Sequence, residues 1–290
     1  MARGWGARLV ARGRTVLAAQ APSPPVSSAG GDALPAVAPT APPLRVETDV
    51  GVLLFQAHDQ LMAPLIAEQG GRWEVEESDQ LRAFLKPGMT FVDVGAHVGY
   101  MTLLGARAVG PSGRVIAVEA SPANVELLRA NVAANGATNV EIVSAAASDR
   151  TGTVTLSLSP WNTGDNRAYL VPEMERIEVP AVRLDDVVPA DAHVDVVKLD
   201  TQGTDHRAVR GMEATLARCR PVLLAEFWPP TITELGDDPL AVLAQYADMG
   251  YQVRVLGHPE DGPVPTPAEV VEAAVSRHGE FCNLVLRPIG

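Results

Sequence analysis

Three acidic residues in this sequence each follow or close a short apolar run: Asp93, Glu119 and Asp200. Runs of this kind are typical of parallel strands that are buried on both faces. Because the carboxyl ends of parallel strands meet at one edge of a sheet, we expect the three carboxylates to lie at the edge where α/β proteins bind ligands. Carboxylates at such an edge can accept hydrogen bonds from an amino group or from the hydroxyls of a ribose.

The turn after Asp93 has the spacing D-x-G-x-x-x-G, with glycines at 95 and 99. A dinucleotide site needs G-x-G-x-x-G, and an acid ahead of the glycine suits a cationic amino group better than a pyrophosphate. S-adenosylmethionine carries such an amino group, and Glu119 follows the strand 114–118 where an acid reaches a ribose. The alternative is that Asp93 only caps the turn and that Glu119 is a solvated acid at the end of its strand.

The third predicted strand, 139–146, leads to Ser148 and Asp149, a position from which an adenine base can be held. The backbone and the small side chains at 146 and 147 are expected to matter more than Asp149, which turn formation with Gly152 explains equally well. The residues predicted to bind the cofactor are Asp93, Gly95, Ala96, His97, Gly99, Glu119, Ala120, Ser148, Asp149 and Asp200.

The elements that must position these residues alternate between strand and helix. The strands are predicted at 90–92, 114–118, 139–146, 153–158, 194–199 and 221–225, and an antiparallel pair at 251–256 and 281–286 closes the sheet. Helices are predicted at 100–108, after Ser121-Pro122 as far as Gly136, at 205–217 and at 239–249.

The N-terminal part differs in composition. Residues 1–44 are rich in alanine and proline and carry four arginines but one acid, so we predict a disordered leader. A secretory signal is disfavoured because its apolar centre is short. Residues 45–86 are interpreted as an added strand at 50–55 and two helices, 56–69 interrupted by Pro64 and 79–85 capped by Ser78. In this addition, His58 and Asp59 are expected to be surface residues of a lid rather than the edge of a pocket. The domain that carries the site is predicted over 87–290.

Composition excludes several classes of protein. The net charge of −12 argues against nucleic acid as the main partner. No apolar run approaches the roughly 20 residues of a membrane-spanning helix. The two cysteines, Cys219 and Cys282, do not form a disulfide framework and suit a reducing cytoplasm.

A polar, glycine-containing stretch at 161–167 and an aromatic, proline-bounded rim after the fifth strand are the candidates for binding an acceptor. Functional loops are often polar segments that a rigid scaffold positions. The alternative for 161–167 is a simple hairpin connection. The predicted acceptor-binding residues are Trp161, Asn162, Asp165, Asn166, Arg167, Glu226 and Trp228.

Six ordered motifs, DVGAHVG, VEASPAN, AAASD, NTGDNR, VKLDTQG and LAEFW, resemble the FkbM family of S-adenosylmethionine-dependent O-methyltransferases over about residues 75–288. The resemblance implies a Rossmann-like class I methyltransferase fold: a seven-stranded, mostly parallel sheet with the last strand antiparallel and helices on both faces. It also implies that Asp93, Gly95 and Gly99 line the methionine part of the cofactor. The sequence departs from the family at His97, where asparagine is common, and at 201–202 and 204–205, where Val-Glu and a glutamate are usual.

The resemblance implies methyl transfer to a hydroxyl of a sugar or of a secondary metabolite, either polyketide-like or a glycoside. The protein then contributes alignment and removal of the hydroxyl proton. Asp200 and His206 are the first candidates for the base, although His206 could equally lie on the exposed start of its helix. Lys198 is expected to be an ion-pair partner. The further candidates for the base are His97, Asp165 and Glu226.

No metal is predicted, although a divalent cation held by Asp200 with Asp165 or Asn166 is an alternative means of activating the oxygen. Two other classes stay open. One is a catalytically silent module that binds S-adenosylmethionine as a partner or regulatory subunit. The other is a nicotinamide oxidoreductase, which the missing glycine fingerprint disfavours. The expected partner is a small hydroxylated molecule, and the sequence leaves monomer and homodimer open.

Overall fold

The computed structural model describes residues 41–259, 261–276 and 280–289. Most of the leader predicted over 1–44 therefore lies outside the described residues. From Pro43 onward, the chain forms one compact unit. Among the described residues, none of the helices combines the length and the apolar content needed to cross a bilayer.

The N-terminal segment consists of two paired strands followed by two helices. These are β1 (Leu44–Thr48), β2 (Gly51–Phe55), α1 (Met62–Glu68) and α2 (Val75–Phe84). The strand predicted at 50–55 is confirmed as β2. The helix predicted from residue 56 begins only at Met62, whose N–H donates to the Asp59 carboxylate at 2.8 Å. Pro64 lies in the first turn, where the missing N–H costs no helical hydrogen bond.

The second N-terminal helix also begins at a different residue from the one predicted. Ser78 was expected to cap it, but α2 starts at Val75 and Ser78 lies inside it. The Ser78 hydroxyl donates to the Trp73 carbonyl at 2.5 Å. Glu74 precedes the helix in the left-handed conformation, with φ of 44°, which orients its side chain toward the interior.

The rest of the chain alternates between strands and helices. In chain order these are β3 (Thr90–Val94), α3 (Tyr100–Val109), β4 (Arg114–Glu119), α4 (Pro122–Ala134), β5 (Val140–Ser144), β6 (Ala146–Ala147), β7 (Gly152–Leu158), β8 (Glu175–Val182), α5 (Leu184–Val187), β9 (Val196–Leu199), α6 (Asp205–Arg210), α7 (Glu213–Cys219), β10 (Val222–Phe227), α8 (Pro229–Glu234), α9 (Pro239–Asp248), β11 (Tyr251–Val255), α10 (Pro267–Ser276) and β12 (Cys282–Pro288).

Seven strands form the main sheet in the order β11-β12-β10-β9-β3-β4-β5. The pairs β3–β4, β3–β9, β4–β5 and β9–β10 are parallel, whereas β12 runs antiparallel to both β10 and β11. The predicted fold class is therefore confirmed, including the antiparallel last strand. Because β9, β3 and β4 are adjacent, their carboxyl ends lie side by side at the centre of one sheet edge.

Two predicted elements are divided in the structure. The strand predicted at 139–146 ends at Ser144, and Ala146–Ala147 pairs instead with β8 in a second sheet of order β6-β8-β7. The helix predicted at 205–217 breaks at Gly211, where a Cβ atom would lie 2.0 Å from the Ser148 carbonyl oxygen. This close approach of two backbones needs a residue without a side chain.

Both cysteines are buried and free, as their sequence context predicts. Cys219 lies at the end of α7 and Cys282 at the start of β12. The cytoplasmic location that they suggest stays a prediction.

Candidate active site

Asp93 is fully buried in β3. Its Oδ2 accepts a hydrogen bond from the Thr102 hydroxyl at 2.6 Å, and burial raises the pKa of its carboxyl group. Within the described part of the chain, Oδ1 of Asp93 has no hydrogen-bond partner. A buried acceptor without a donor is costly, and the amino group of a bound ligand would satisfy it.

The turn after Asp93 approaches the end of β9 very closely. Gly95 has φ of 80°, and a Cβ atom there would lie 1.9 Å from the Asp200 carbonyl oxygen. His97 is also left-handed, with φ of 51°, which is unusual for a residue with a side chain. This conformation lets the His97 N–H donate to Glu119 Oε2 at 2.8 Å.

Glu119 is held by three protein donors. Its Oε1 accepts from the Ser121 N–H at 2.8 Å and from Asn124 Nδ2 at 3.3 Å, while Oε2 accepts from the His97 N–H. The side chain is buried, so the alternative of a solvated strand-end acid is wrong. A carboxylate oxygen can accept two hydrogen bonds, and Oε2 therefore retains room for one ligand hydroxyl.

Ser148 and the alanines before it are buried at the end of β6. The Ser148 hydroxyl donates to Asp149 Oδ1 at 3.3 Å, and Ala120 packs against Ala146 in a small apolar cluster. A cavity of about 290 Å³ opens beside these residues. It is lined in part by Ala147, Ser148, Thr153, Tyr169, Thr204 and Arg207. The assignment of the adenine to Ser148 and Asp149 stays a prediction.

Asp59, expected to be a surface residue, is instead 3% exposed. Its Oδ2 accepts a hydrogen bond from the Thr163 hydroxyl at 2.7 Å, and the Thr163 oxygen lies 2.8 Å from His97 Nε2. Because the single hydroxyl proton points to Asp59, His97 has to donate from Nε2. Burial lowers the pKa of His97 to about 4, so its ring is neutral at pH 7. The N-terminal segment, the loop at 161–167 and the cofactor turn are thus joined by one hydrogen-bonded chain.

Asp200 follows β9 and is paired on both oxygens. Its Oδ2 accepts from Lys198 Nζ at 3.1 Å and its Oδ1 from Gln202 Nε2 at 2.7 Å. Burial lowers the pKa of Lys198, but the surrounding carboxylates, Asp200 foremost, raise it well above its usual value. The predicted role of Lys198 as an ion-pair partner is confirmed.

Three further acids surround this pair. Burial, with nearby acids, raises the pKa of Glu226 and of Glu74 well above the usual range. Burial and the charge of Asp200 raise the pKa of Asp205 to about 7. Among the described residues, Glu74 Oε2, Asp205 Oδ1 and Glu226 Oε2 have no hydrogen-bond partner.

Neither Asp205 nor Glu74 was predicted as a site residue from the sequence. For Asp205, a usable signal existed, because it occupies a position where a glutamate is usual in the resembling family. Glu74 gave no signal, since its contribution depends on how the N-terminal segment packs.

His206, a predicted candidate for the base, is hydrogen-bonded to another acid. Its imidazole is buried rather than exposed, and Nε2 lies 3.0 Å from Asp237 Oδ2. Burial lowers the pKa of His206, whereas the hydrogen bond that its ring donates to Asp237 opposes this shift. Arg210 also pairs with Asp237, at 2.8 Å. The Nε2 atom therefore belongs to an ion-pair network, whereas Nδ1 has no partner among the described residues. A catalytic role for His206 stays a prediction.

The predicted acceptor residues fall into two groups. Arg167 pairs with Asp165 at 2.8 Å and lies over the Trp228 ring, 5.0 Å from its centroid. The Trp228 and Phe281 rings are 6.0 Å apart, and Glu226 lies two residues before Trp228 on the same sheet edge. These side chains form a half-buried rim.

The other predicted residues of the loop shape it instead. Asn162 Oδ1 accepts from the Gly164 N–H at 3.1 Å, and Asn166 Oδ1 accepts from the Ser159 N–H at 3.0 Å. The Trp161 side chain is 57% exposed. In the described ranges, no group of three or more histidine, cysteine or acidic side chains is arranged to hold a metal ion.

The strand order of the main sheet, the glycine turn and the acids at the ends of β3 and β4 define the Rossmann-like fold of class I methyltransferases. The chain belongs to the family described as the methyltransferase FkbM domain, whose model matches residues 93–253. The cofactor of this family is S-adenosylmethionine. The orphaned Asp93 oxygen and the remaining acceptor position on Glu119 fit this cofactor.

Three similar proteins illustrate the range of relatives. The arsenite methyltransferase of Halobacterium salinarum is 32% identical over 125 residues, which cover 41% of this chain and 32% of that protein. A protein-L-isoaspartate O-methyltransferase of Triticum aestivum is 37% identical over 84 residues, covering 29% and 33%. The solved FkbM methyltransferase of Methylobacillus flagellatus is 16% identical with a TM-score of 0.43, covering 72% and 50%. The chain thus spans about a third of the length of the curated relatives it matches.

Proposed function

We propose that this protein transfers the methyl group of S-adenosylmethionine to a hydroxyl oxygen of a sugar or of a secondary metabolite, polyketide-like or a glycoside. The observation that carries the proposal is the set of unpaired acceptor oxygens beside an aromatic rim at the ends of β9 and β10. Hydroxyl protons would satisfy Asp205 Oδ1 and Glu226 Oε2, and the Trp228 ring offers an apolar face for a sugar or a macrocycle.

The rim also offers a donor. Within the described chain, the indole N–H of Trp228 is buried without a partner, so a hydroxyl or ether oxygen of an acceptor would complete it. A phosphate or carboxylate would instead face Asp200, Asp205 and Glu226. The net charge of −12 further disfavours a nucleic acid, whose backbone needs a basic surface.

The cofactor supplies a methyl group on a positively charged sulfur when it is bound. The residues that would hold it are Asp93 at the amino group and Glu119 at the ribose, with the turn 95–99 between them and Ser148 and Asp149 at the adenine. The chain's own contribution is to orient the acceptor and to remove a proton from its hydroxyl.

The test uses S-adenosylmethionine carrying a tritiated methyl group. The hydroxylated probes are methyl α-D-glucopyranoside, methyl α-L-rhamnopyranoside and the macrolactone 6-deoxyerythronolide B, with D-glucuronic acid as the anionic control. We expect label to enter at least one hydroxylated probe and not the acid. Cofactor binding with no transfer to any probe would contradict the proposal and favour the catalytically silent module.

A matched pair of variants tests the cofactor site independently. Glu119→Gln replaces an acceptor oxygen by an amide, and calorimetry should show S-adenosylmethionine affinity reduced by about 10- to 100-fold, the range of a lost hydrogen bond to a charged group. Glu141→Gln, on the exposed edge strand β5, is the control and should bind like the wild type. Equal affinity of all three proteins would remove Glu119 from the site.

A further inference from the structure

The hydroxyl of the acceptor has to lose a proton during methyl transfer. Five titratable side chains are candidates for the base that takes this proton. These are Asp200, His206, His97, Glu226 and Asp205. The comparison rests on the proposed function, since it assumes that the acceptor is a hydroxyl, which needs a base.

Two of the five are engaged by other groups. Both Asp200 oxygens accept hydrogen bonds, one of them from the Lys198 ammonium, and a neighbouring cation weakens a carboxylate as a base. The His206 ring is hydrogen-bonded to Asp237, outside the acid cluster.

The pKa values of two others are shifted in directions that do not suit a base. Burial lowers the pKa of His97 to about 4, so this ring holds a transferred proton poorly at neutral pH. Burial, with nearby acids, raises the pKa of Glu226 well above its usual range, which disfavours the ionised form that a base needs.

Among the described residues, Glu226 Oε2 and His206 Nδ1 also have no hydrogen-bond partner, but Asp205 combines a fixed oxygen with an unpartnered one beside Asp200. The Oδ2 atom of Asp205 is fixed by the Thr201 hydroxyl at 3.0 Å and by the Thr201 N–H at 3.3 Å. Its Oδ1 has no partner among the described residues, although the side chain is 2% exposed. One oxygen is thus an anchor, and the other is available to a ligand.

We propose that Asp205 is the catalytic base, with Oδ1 accepting the proton of the acceptor hydroxyl. The O–H bond breaks as its proton passes to Oδ1, and the electron pair of that bond stays on the oxygen. An oxygen electron pair forms the bond to the methyl carbon, while the pair of the broken carbon–sulfur bond stays on sulfur. Thr201 acts as a positioning residue.

The groups around Asp205 suit this role. Asp200 at the end of β9, Glu226 of β10 and Tyr246 of α9 are close enough to interact with it electrostatically. Arg210, on its own helix, pairs with Asp237 instead. Burial and the Asp200 charge raise the pKa of Asp205 to about 7, which lies near the operating pH where a general base is most effective.

The first measurement needs no acceptor. Protein labelled with ¹³C at the aspartate carboxyl carbons is titrated by NMR, and the resonance absent from Asp205→Asn identifies Asp205. We expect its midpoint near pH 7, both without ligand and with the product S-adenosylhomocysteine. A midpoint near the ordinary value of about 4 would overturn the proposal.

The second measurement is labelled methyl transfer to the three hydroxylated probes between pH 5 and 9. The wild-type rate should rise with pH to a plateau above about pH 7, and Asp205→Asn should lose about 100-fold or more in kcat, the usual contribution of a general base. Its affinity for S-adenosylmethionine should change less than about threefold. Asp205→Glu should restore part of the rate, and Glu213→Gln, an exposed acid on α7, should match the wild type.

The outcomes separate the two proposals. If the wild type transfers the methyl group and the rate of Asp205→Asn is within threefold of the wild-type rate, Asp205 is not the catalytic base. The proposed function would then still stand. Absence of transfer to every probe, with an Asp205 midpoint near 7, would overturn the proposed function, and the role of base would fall with it.

Discussion

At the cofactor half of the site, Glu119 is held by three protein donors before any ligand arrives, whereas at the acceptor half Asp205 and Glu226 each keep an oxygen that no described residue pairs. Both halves are buried and acidic. They differ in the hydrogen-bond donors around the acids. Glu119 ends a strand beside a turn and a helix N-terminus, where backbone N–H groups are available. Asp205 and Glu226 come from a helix and a strand that are separate in the chain, and they lie near other acids instead.

This difference governs how each half responds to a ligand. An acid with several protein donors is already oriented and presents a fixed receptor. An acid that lies near other acids has a raised pKa, so it tends to hold a proton until a hydrogen-bond donor of the ligand takes that proton's place. Burial raises the pKa of Asp93 and of Glu119 too, but neither acid is surrounded by as many other acids, so we expect the acceptor half to depend on pH more strongly than the cofactor half.

Lys198 is the cation that holds the acidic half together, and its loss should have the largest effect. Lys198→Met leaves the half-buried Asp200 and the buried Glu77 and Asp93 carboxylates without their counter-charge. We expect the free energy of unfolding at pH 7 to fall by about 3–5 kcal/mol, as for a broken buried ion pair. Urea unfolding monitored by circular dichroism measures this.

The control for this change is Lys86→Met, which removes an exposed lysine at the end of α2 and should alter stability little. The loss in Lys198→Met should shrink at pH 5, since the carboxyl groups can then take up protons. A loss that is equal at both pH values would show that packing, not charge, is responsible.

Asp205→Asn should reveal the pH dependence of the acceptor half. The folded-state pKa of Asp205, about 7, lies above its unfolded value, so the folded protein binds more protons and its stability falls as pH rises from 4 to 7. The upper limit of this decline is roughly 4 kcal/mol from one group. The variant lacks it and should unfold at a higher temperature than the wild type at pH 8 and at a similar temperature at pH 4. Parallel curves for the two proteins would contradict this.

Thr163→Val cuts the chain that links the two halves through Asp59 and His97. It leaves Asp59 Oδ2 buried without its hydroxyl donor, and we expect a loss of about 1–3 kcal/mol in the free energy of unfolding. The control is the same substitution at Thr155 of β7, whose hydroxyl donates to the exposed Glu178 of β8. It should lower the free energy of unfolding by less than about 0.5 kcal/mol. Similar losses at both positions would show that the hydrogen bonds joining Asp59, Thr163 and His97 contribute no more to stability than a surface hydrogen bond.

Arg167→Met should have the smallest effect. It removes a half-buried pair with Asp165 and the contact over the Trp228 ring, interactions worth about 0.5–1 kcal/mol each. We expect a small change in stability and a shift in Trp228 fluorescence. An unchanged emission spectrum would indicate that the guanidinium does not stay over the ring in solution.

The sequence predicted those parts of the site that are local. Gly95, Glu119 and the Ser121 cap belong to a strand, turn and helix that follow one another, and backbone conformation and spacing are enough to place them. The start of α1 was missed because a side chain three residues earlier, Asp59, sets it. The strand β8 was missed because it pairs across the chain with β6 and β7.

The sequence by itself thus determined the alternation of strands and helices, the seven-stranded sheet with its antiparallel last strand by family resemblance, and the acids at the ends of β3, β4 and β9. Only the tertiary structure decided which acids are paired. It joined Asp200 to Lys198, turned His206 toward Asp237 and left Asp205 Oδ1 without a partner among the described residues. The physical reason is that a pKa depends on burial and on charges within a few ångströms, and those neighbours come from elements far apart along the chain.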